Sequence, residues 1–218
     1  MMTDLELFFE ERKAELILFT DFLSEIDRNN TFNAQIPILK SQVVIMLYNL
    51  IEGTVNKAIT CIFDEVSDSN LNHEGFSAHI EKIWLKHLTL NIHDNGQHDK
   101  RIEDITKFAH AKVKIELEAF RKKNKSYFGA GSLDGKRIGE IFKKFEIELT
   151  MQEPKLQEIK INRNFLAHGE KSFTDVGKDK TVPEVINSLT KVFDYLASFI
   201  AEIINYLTNQ SFKKSSPI

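Results

Sequence analysis

Apolar residues recur along most of this chain at spacings of three, four and seven, the period of a helix with one buried side. Thr3-Asp4-Leu5-Glu6 has the form of a capping box, in which Thr and the Glu three residues later satisfy each other's backbone N–H groups. Leu5, Phe9, Leu16, Phe19, Leu23 and Ile26 follow, predicting an amphipathic helix to about Asp27. Pro37, tolerated in a first turn, opens a second helix to about Val66 whose apolar residues, among them Val43, Leu47, Ile51, Val55, Ile59 and Ile62, fall on most sides. A helix apolar nearly all round is expected at the centre of the fold. On it Tyr48, Glu52 and Asn56 lie four apart, a polar stripe expected to look outward or to line a shared polar interface.

A polar loop (Ser67 to Glu74) leads to a shorter helix from Phe76 to Leu88, and a second loop (Asn91 to Asp99) to a helical pattern from Lys100 to Lys123 carried by Ile102, Ile105, Phe108, Val113, Leu117 and Phe120. Asn124 to Gly135 holds three of the nine glycines and predicts a flexible connection, after which Asp134 or Ser132 caps a short helix through Phe145. Thr150-Met151-Gln152-Glu153-Pro154 predicts a helix start, and Leu156, Ile159, Ile161, Phe165 and Leu166 continue the helix to His168, where Gly169 stops it. Thr181-Val182-Pro183-Glu184 is a second capping box opening a long final helix with Val185, Leu189, Val192, Leu196, Phe199 and Ile203 on its apolar side. Six to seven helices without a sheet, forming one helical-bundle domain over residues 1–210 with a disordered tail at 211–218, are therefore expected.

Composition agrees, since 42% apolar and 28% charged residues suit a folded core, while 9 Gly and 4 Pro are too few for a turn-rich β-sandwich. The longest nearly uncharged stretch, Ser41 to Ile51, is about half the ~20 residues that a membrane span needs, so it reads as core and no membrane partner is expected. With the acidic N-terminal residues where a signal peptide needs a basic start, and a single cysteine, Cys61, that allows no intramolecular disulfide, the expected location is the cytoplasm. Net charge is 29 − 32 = −3, but residues 1–110 carry 10 − 18 = −8 and residues 111–218 carry 19 − 14 = +5. Any site for an anionic polymer belongs in the C-terminal half.

Most candidate chemistry is excluded by spacing. His73, His79, His87, His93 and His98 include no i, i+4 pair with a neighbouring Glu, so no metal or other cofactor is expected. Cys61 has apolar flanks and no nucleophile signature, and the glycines at 129, 131, 135 and 139 form no phosphate-binding loop. Arg163-Asn164-Phe165-Leu166-Ala167-His168-Gly169 remains: a permanent cation and a titratable imidazole at the end of a helix. Five residues place Arg163 and His168 about 140° apart around the helix and about 7.5 Å apart along it, so they do not share a face.

The strings LQEIKINRNFLAHGEKSF around that segment, SQVVIMLYNLIEGTV on the second helix and GSLDGKRIGEIFKKFEI between them resemble the HEPN superfamily, most closely its MAE-type family among prokaryotic defence and mobile genes. The resemblance runs from about Gln35 to Leu207 and implies a HEPN-like all-α bundle. The superfamily's ribonucleases carry Arg, a polar residue, and His four to six residues after the Arg; Arg163, Asn164 and His168 match all three. It therefore implies metal-independent cleavage of RNA by its own 2′-hydroxyl. His168 would be the general base or acid, since an imidazole ordinarily titrates near neutrality, Arg163 the donor to the phosphoryl oxygens, and Asn164 a positioning group. It also implies a homodimer that brings both motifs to one cleft, a role as toxin or abortive-infection effector, and a cognate antitoxin or defence-system partner. Lys160, Lys171 and the basic run holding Arg121, Lys122 and Lys123 are candidates to hold the RNA backbone. The superfamily also contains inactive members, so a silent interaction or nucleotide-binding module is the alternative.

Overall fold

The computed structural model describes residues 2–29, 32–89, 112–115, 117–123, 127–128 and 132–214. Among the described residues the chain forms eight helices and no strand: α1 (Asp4–Asn29), α2 (Ile36–Asp68), α3 (Ala78–Thr89), α4 (Leu117–Lys123), α5 (Gly135–Phe142), α6 (Lys155–Ala167), α7 (Phe173–Lys178) and α8 (Val182–Thr208). The all-α class follows. Both capping boxes form: the Glu6 carboxylate accepts the Thr3 N–H at 2.6 Å, and that of Glu184 accepts the Thr181 N–H at 2.7 Å. Asp134 caps α5 by accepting the Arg137 N–H at 2.8 Å.

Four segments differ from the sequence expectation. The Lys100–Lys123 pattern is not one helix. Among its described residues only Leu117–Lys123 is helical, Val113 and Ile115 are buried with Lys114 exposed between them, and the Val113 N–H donates to the Leu71 carbonyl at 2.9 Å. Val-Lys-Ile alternates with period two and is β-branched at both buried positions, which favours extended chain. Residues 100–111, like His93, His98 and half of the glycine-rich connection, lie outside the described residues. α6 starts at Lys155 rather than near Thr150, and it is the Glu153 side chain that accepts the Lys155 N–H, at 2.9 Å. α7 was not expected; Ser172 and Asp175 form a capping box at its start. Residues 211–214 are placed rather than loose: Phe212 is buried, and its carbonyl accepts the Ser77 N–H at 2.9 Å. Residues 215–218 lie outside the described residues.

The chain divides into two compact units. The first comprises residues 1–57, 131–138 and 150–200, the second residues 58–130, 139–149 and 201–218. In the first, Leu5, Phe9, Leu16 and Leu23 of α1, Val43, Leu47 and Ile51 of α2, Leu156 and Ile159 of α6, and Val192 and Leu196 of α8 are buried. In the second, Phe63, Phe120, Phe128, Phe142 and Phe145 build an aromatic cluster, with ring centres of Phe63 and Phe128 5.5 Å apart and of Phe128 and Phe145 5.7 Å apart. α2 has the length and composition of a membrane span, yet its apolar side chains are mostly buried within the protein.

Candidate active site at the end of helix α6

α6 is anchored by Leu156 and Ile159, which are buried, and its last turn is closed by Gly169 in the left-handed region (φ 69°). The Gly169 N–H donates to the Leu166 carbonyl at 3.3 Å and the Glu170 N–H to the Phe165 carbonyl at 2.9 Å, the paired bonds of a Schellman end. His168 is the capping residue, held through its own N–H on the Asn164 carbonyl at 2.9 Å. Its backbone is thus fixed. Its imidazole is exposed and has no partner among the described residues.

The Arg163 guanidinium lies over the Tyr48 ring, 4.4 Å from ring centre to Cζ, and Nη1 donates to Asn164 Oδ1 at 3.1 Å. Tyr48 is wholly buried rather than outward-facing, and its hydroxyl accepts the Leu133 N–H at 3.2 Å. Burial pushes its phenol above the ordinary value. Of the stripe on α2, the other two residues, Glu52 and Asn56, are half-buried. Tyr48 departs from them because its ring is a platform for a cation and its hydroxyl is satisfied by a backbone donor.

Lys160, one turn before Asn164, forms an ion pair with Asp134, so the same carboxylate that caps α5 ties that helix to α6. Burial works against the charged form of Asp134, but the Lys160 ammonium and the Arg137 N–H outweigh it and hold the carboxyl below its usual range. Beyond the motif, three contacts hold the following segment. Ser41 Oγ donates to the Phe173 carbonyl at 2.5 Å, the Lys40 ammonium donates to the Lys180 carbonyl, and Lys180 pairs with Glu158 of α6. Gly177 packs so closely on Pro37 that a Cβ there would stand 1.8 Å from the Pro37 carbonyl oxygen.

The model of the MAE_28990-like HEPN family matches residues 1–212. The chain belongs to this HEPN family. No curated protein and no solved structure matches it.

In this HEPN chain the residues singled out from sequence meet to different degrees. Arg163 and Asn164 touch, and His168 stands one turn beyond Asn164 on its side of α6. Lys171 is exposed, its ammonium 4.5 Å from the centre of the Phe165 ring. Lys160 is engaged by Asp134. Arg121, Lys122 and Lys123 end α4 in the second unit; Lys122 is exposed, while burial lowers the Arg121 guanidinium from its ordinary value. Sequence reasoning missed Tyr48 as the seat of Arg163 and Asp134 as the partner of Lys160. Both pairings are long-range, and only the oddity of a Tyr in an otherwise aliphatic run marked the first.

Proposed function

We propose that this HEPN protein is a metal-independent endoribonuclease and acts as a toxin or antiviral defence effector. The carrying observation is Arg163, seated on Tyr48 and bonded to Asn164, with His168 one turn beyond that asparagine, exposed and without a partner among the described residues. An oriented guanidinium suits the developing charge on a phosphoryl group, and an accessible imidazole suits proton transfer. In the proposed reaction a His168 imidazole takes the proton of the ribose 2′-hydroxyl as O2′ bonds to phosphorus. The P–O5′ bond breaks and O5′ receives a proton from a second imidazole, leaving a 2′,3′-cyclic phosphate and a 5′-hydroxyl end.

One chain offers one His168, so the reading requires a homodimer with paired motifs. Ile161, 41% exposed, and the half-exposed Phe165 lie on the stripe that leads to His168 and supply apolar surface for such pairing. Exposed Lys171 is the candidate beside the motif to hold the RNA backbone, and Arg121, Lys122 and Lys123 are further candidates.

The test is cleavage of total RNA in EDTA by wild type, His168→Ala and Arg163→Ala, with DNA as control and mass spectrometry of the new ends. Wild-type cleavage ending in cyclic phosphate, reduced about 10²-fold or more in both variants, is expected. Failure of the folded wild type to cut, or equal cutting by both variants, would favour a silent interaction or nucleotide-binding module.

A further inference from the structure

The buried side of α1 (Leu5, Phe9, Leu16, Leu23) leaves the opposite side of the helix to solvent, and that side is not uniformly polar. At 100° per residue Leu7, Glu11, Leu18, Phe22 and Glu25 fall within about 60° of one another, an apolar stripe with carboxylates set into it. Leu18 is 71% exposed and Phe22 51%, large for side chains of this type on one helix face. The three cations of the helix form no ion pair with the stripe among the described residues: Arg12 pairs with Glu15, Lys13 with Glu10, and Arg28 in the last turn, like Glu11, Asp21 and Glu25, has no ion pair. Leu7 to Phe22 spans about 22 Å, four helical turns.

We infer that this face of α1 docks a cationic amphipathic helix of a partner protein, its apolar side laid on Leu7, Leu18 and Phe22 and its Lys or Arg residues meeting Glu11, Asp21 and Glu25. Charge selects this occupant. A second copy packed antiparallel about Leu18 would set Glu11 against the Glu25 of the other chain, like charge on like charge across a two-fold interface. An anionic lipid surface repels the same carboxylates. A helix with the opposite sign both covers the apolar residues and pairs the acids. The inference concerns α1 alone and stands independently of whether the protein cuts RNA.

The test uses the full-length protein and a designed, fluorescently labelled 18-residue Leu/Lys amphipathic helix, with its Leu/Glu counterpart as control. Fluorescence anisotropy is expected to show binding of the Lys peptide only. Leu18→Ser/Phe22→Ser should weaken it about tenfold or more, and Glu11→Gln/Glu25→Gln should weaken it and flatten its salt dependence. All four positions are exposed, and circular dichroism checks that both variants remain folded. The inference is overturned if the Lys peptide fails to bind, if the Glu peptide binds as well, or if both variants bind like wild type. It is also overturned if sedimentation shows a dimer that Phe22→Ser dissociates, or if phosphatidylserine vesicles capture wild type but not that variant.

Discussion

Around the motif helix of the first unit, beyond the buried anchors Leu156 and Ile159, the contacts that orient its side chains are polar and directional. Arg163 has Tyr48 and Asn164, Lys160 has Asp134, and Glu158 has Lys155 and Lys180. The second unit is built the other way, on rings: Phe145 alone stands within 6 Å, centre to centre, of Phe63, Phe128 and Phe142. Ring packing is strong but tolerant of small shifts, whereas a stacked guanidinium or a capped carboxylate works at one distance and angle. The protein uses directional contacts where a side chain must point somewhere and aromatic bulk where volume must be filled.

That contrast can be broken most forcefully at Phe145. Phe145→Ala should cost about 3–5 kcal/mol, read as a lower urea midpoint, because a fully buried ring with three ring neighbours is removed. RNA cleavage, measured where the variant is still folded, should persist. In the first unit Gly177→Ala should cost about 3 kcal/mol, since its Cβ would strike the Pro37 carbonyl and backbone must move. Here cleavage should fall as well, because the displaced segment is tied to α6 through Lys180 and Glu158. If Phe145→Ala silenced cleavage while Gly177→Ala spared it, the assignment of the two supports would be reversed.

A smaller effect sharpens the comparison. Asp134→Asn keeps a cap for α5 but loses the ion pair with Lys160, at about 1–2 kcal/mol near neutral pH. The Asp134 carboxyl is depressed on folding, so its contribution is present above the unfolded value near 3.8 and is lost as pH falls through the lower folded value. Thermal melts of wild type and variant should therefore differ at pH 7 and converge in acid as the pH falls below that lowered folded value. A gap that stays constant with pH would remove the ion pair from the account.

How far this was legible depends on range. α1, α2 and α8 follow from apolar period, and Thr3 with Glu6 and Thr181 with Glu184 mark two of their starts, because a capping box is local chemistry. Lys100 to Lys123 misled because the spacing of Val113, Leu117 and Phe120 fits a helix while Val-Lys-Ile also fits extended chain, and the Leu71 carbonyl decided between them. Ser172-x-x-Asp175 carried a readable signal for α7 that lay in a polar, loop-like stretch. At the site, Arg163, Asn164 and His168 were visible as a string, but Tyr48 and Asp134 lie far from them in sequence and no local pattern encodes the meeting.

The stacking of Arg163 on Tyr48 has a consequence for approach. A guanidinium whose Cζ stands 4.4 Å over an aromatic ring, with an amide oxygen on Nη1, offers a newcomer its remaining N–H donors. On the proposed ribonuclease reading, phosphoryl oxygens would meet those donors, whereas a flat nucleobase seeking to lie over the guanidinium would compete with the ring already there. On that reading, Tyr48 would bias the arginine toward gripping a backbone rather than sandwiching a base, a selectivity imposed by a residue that is itself wholly buried.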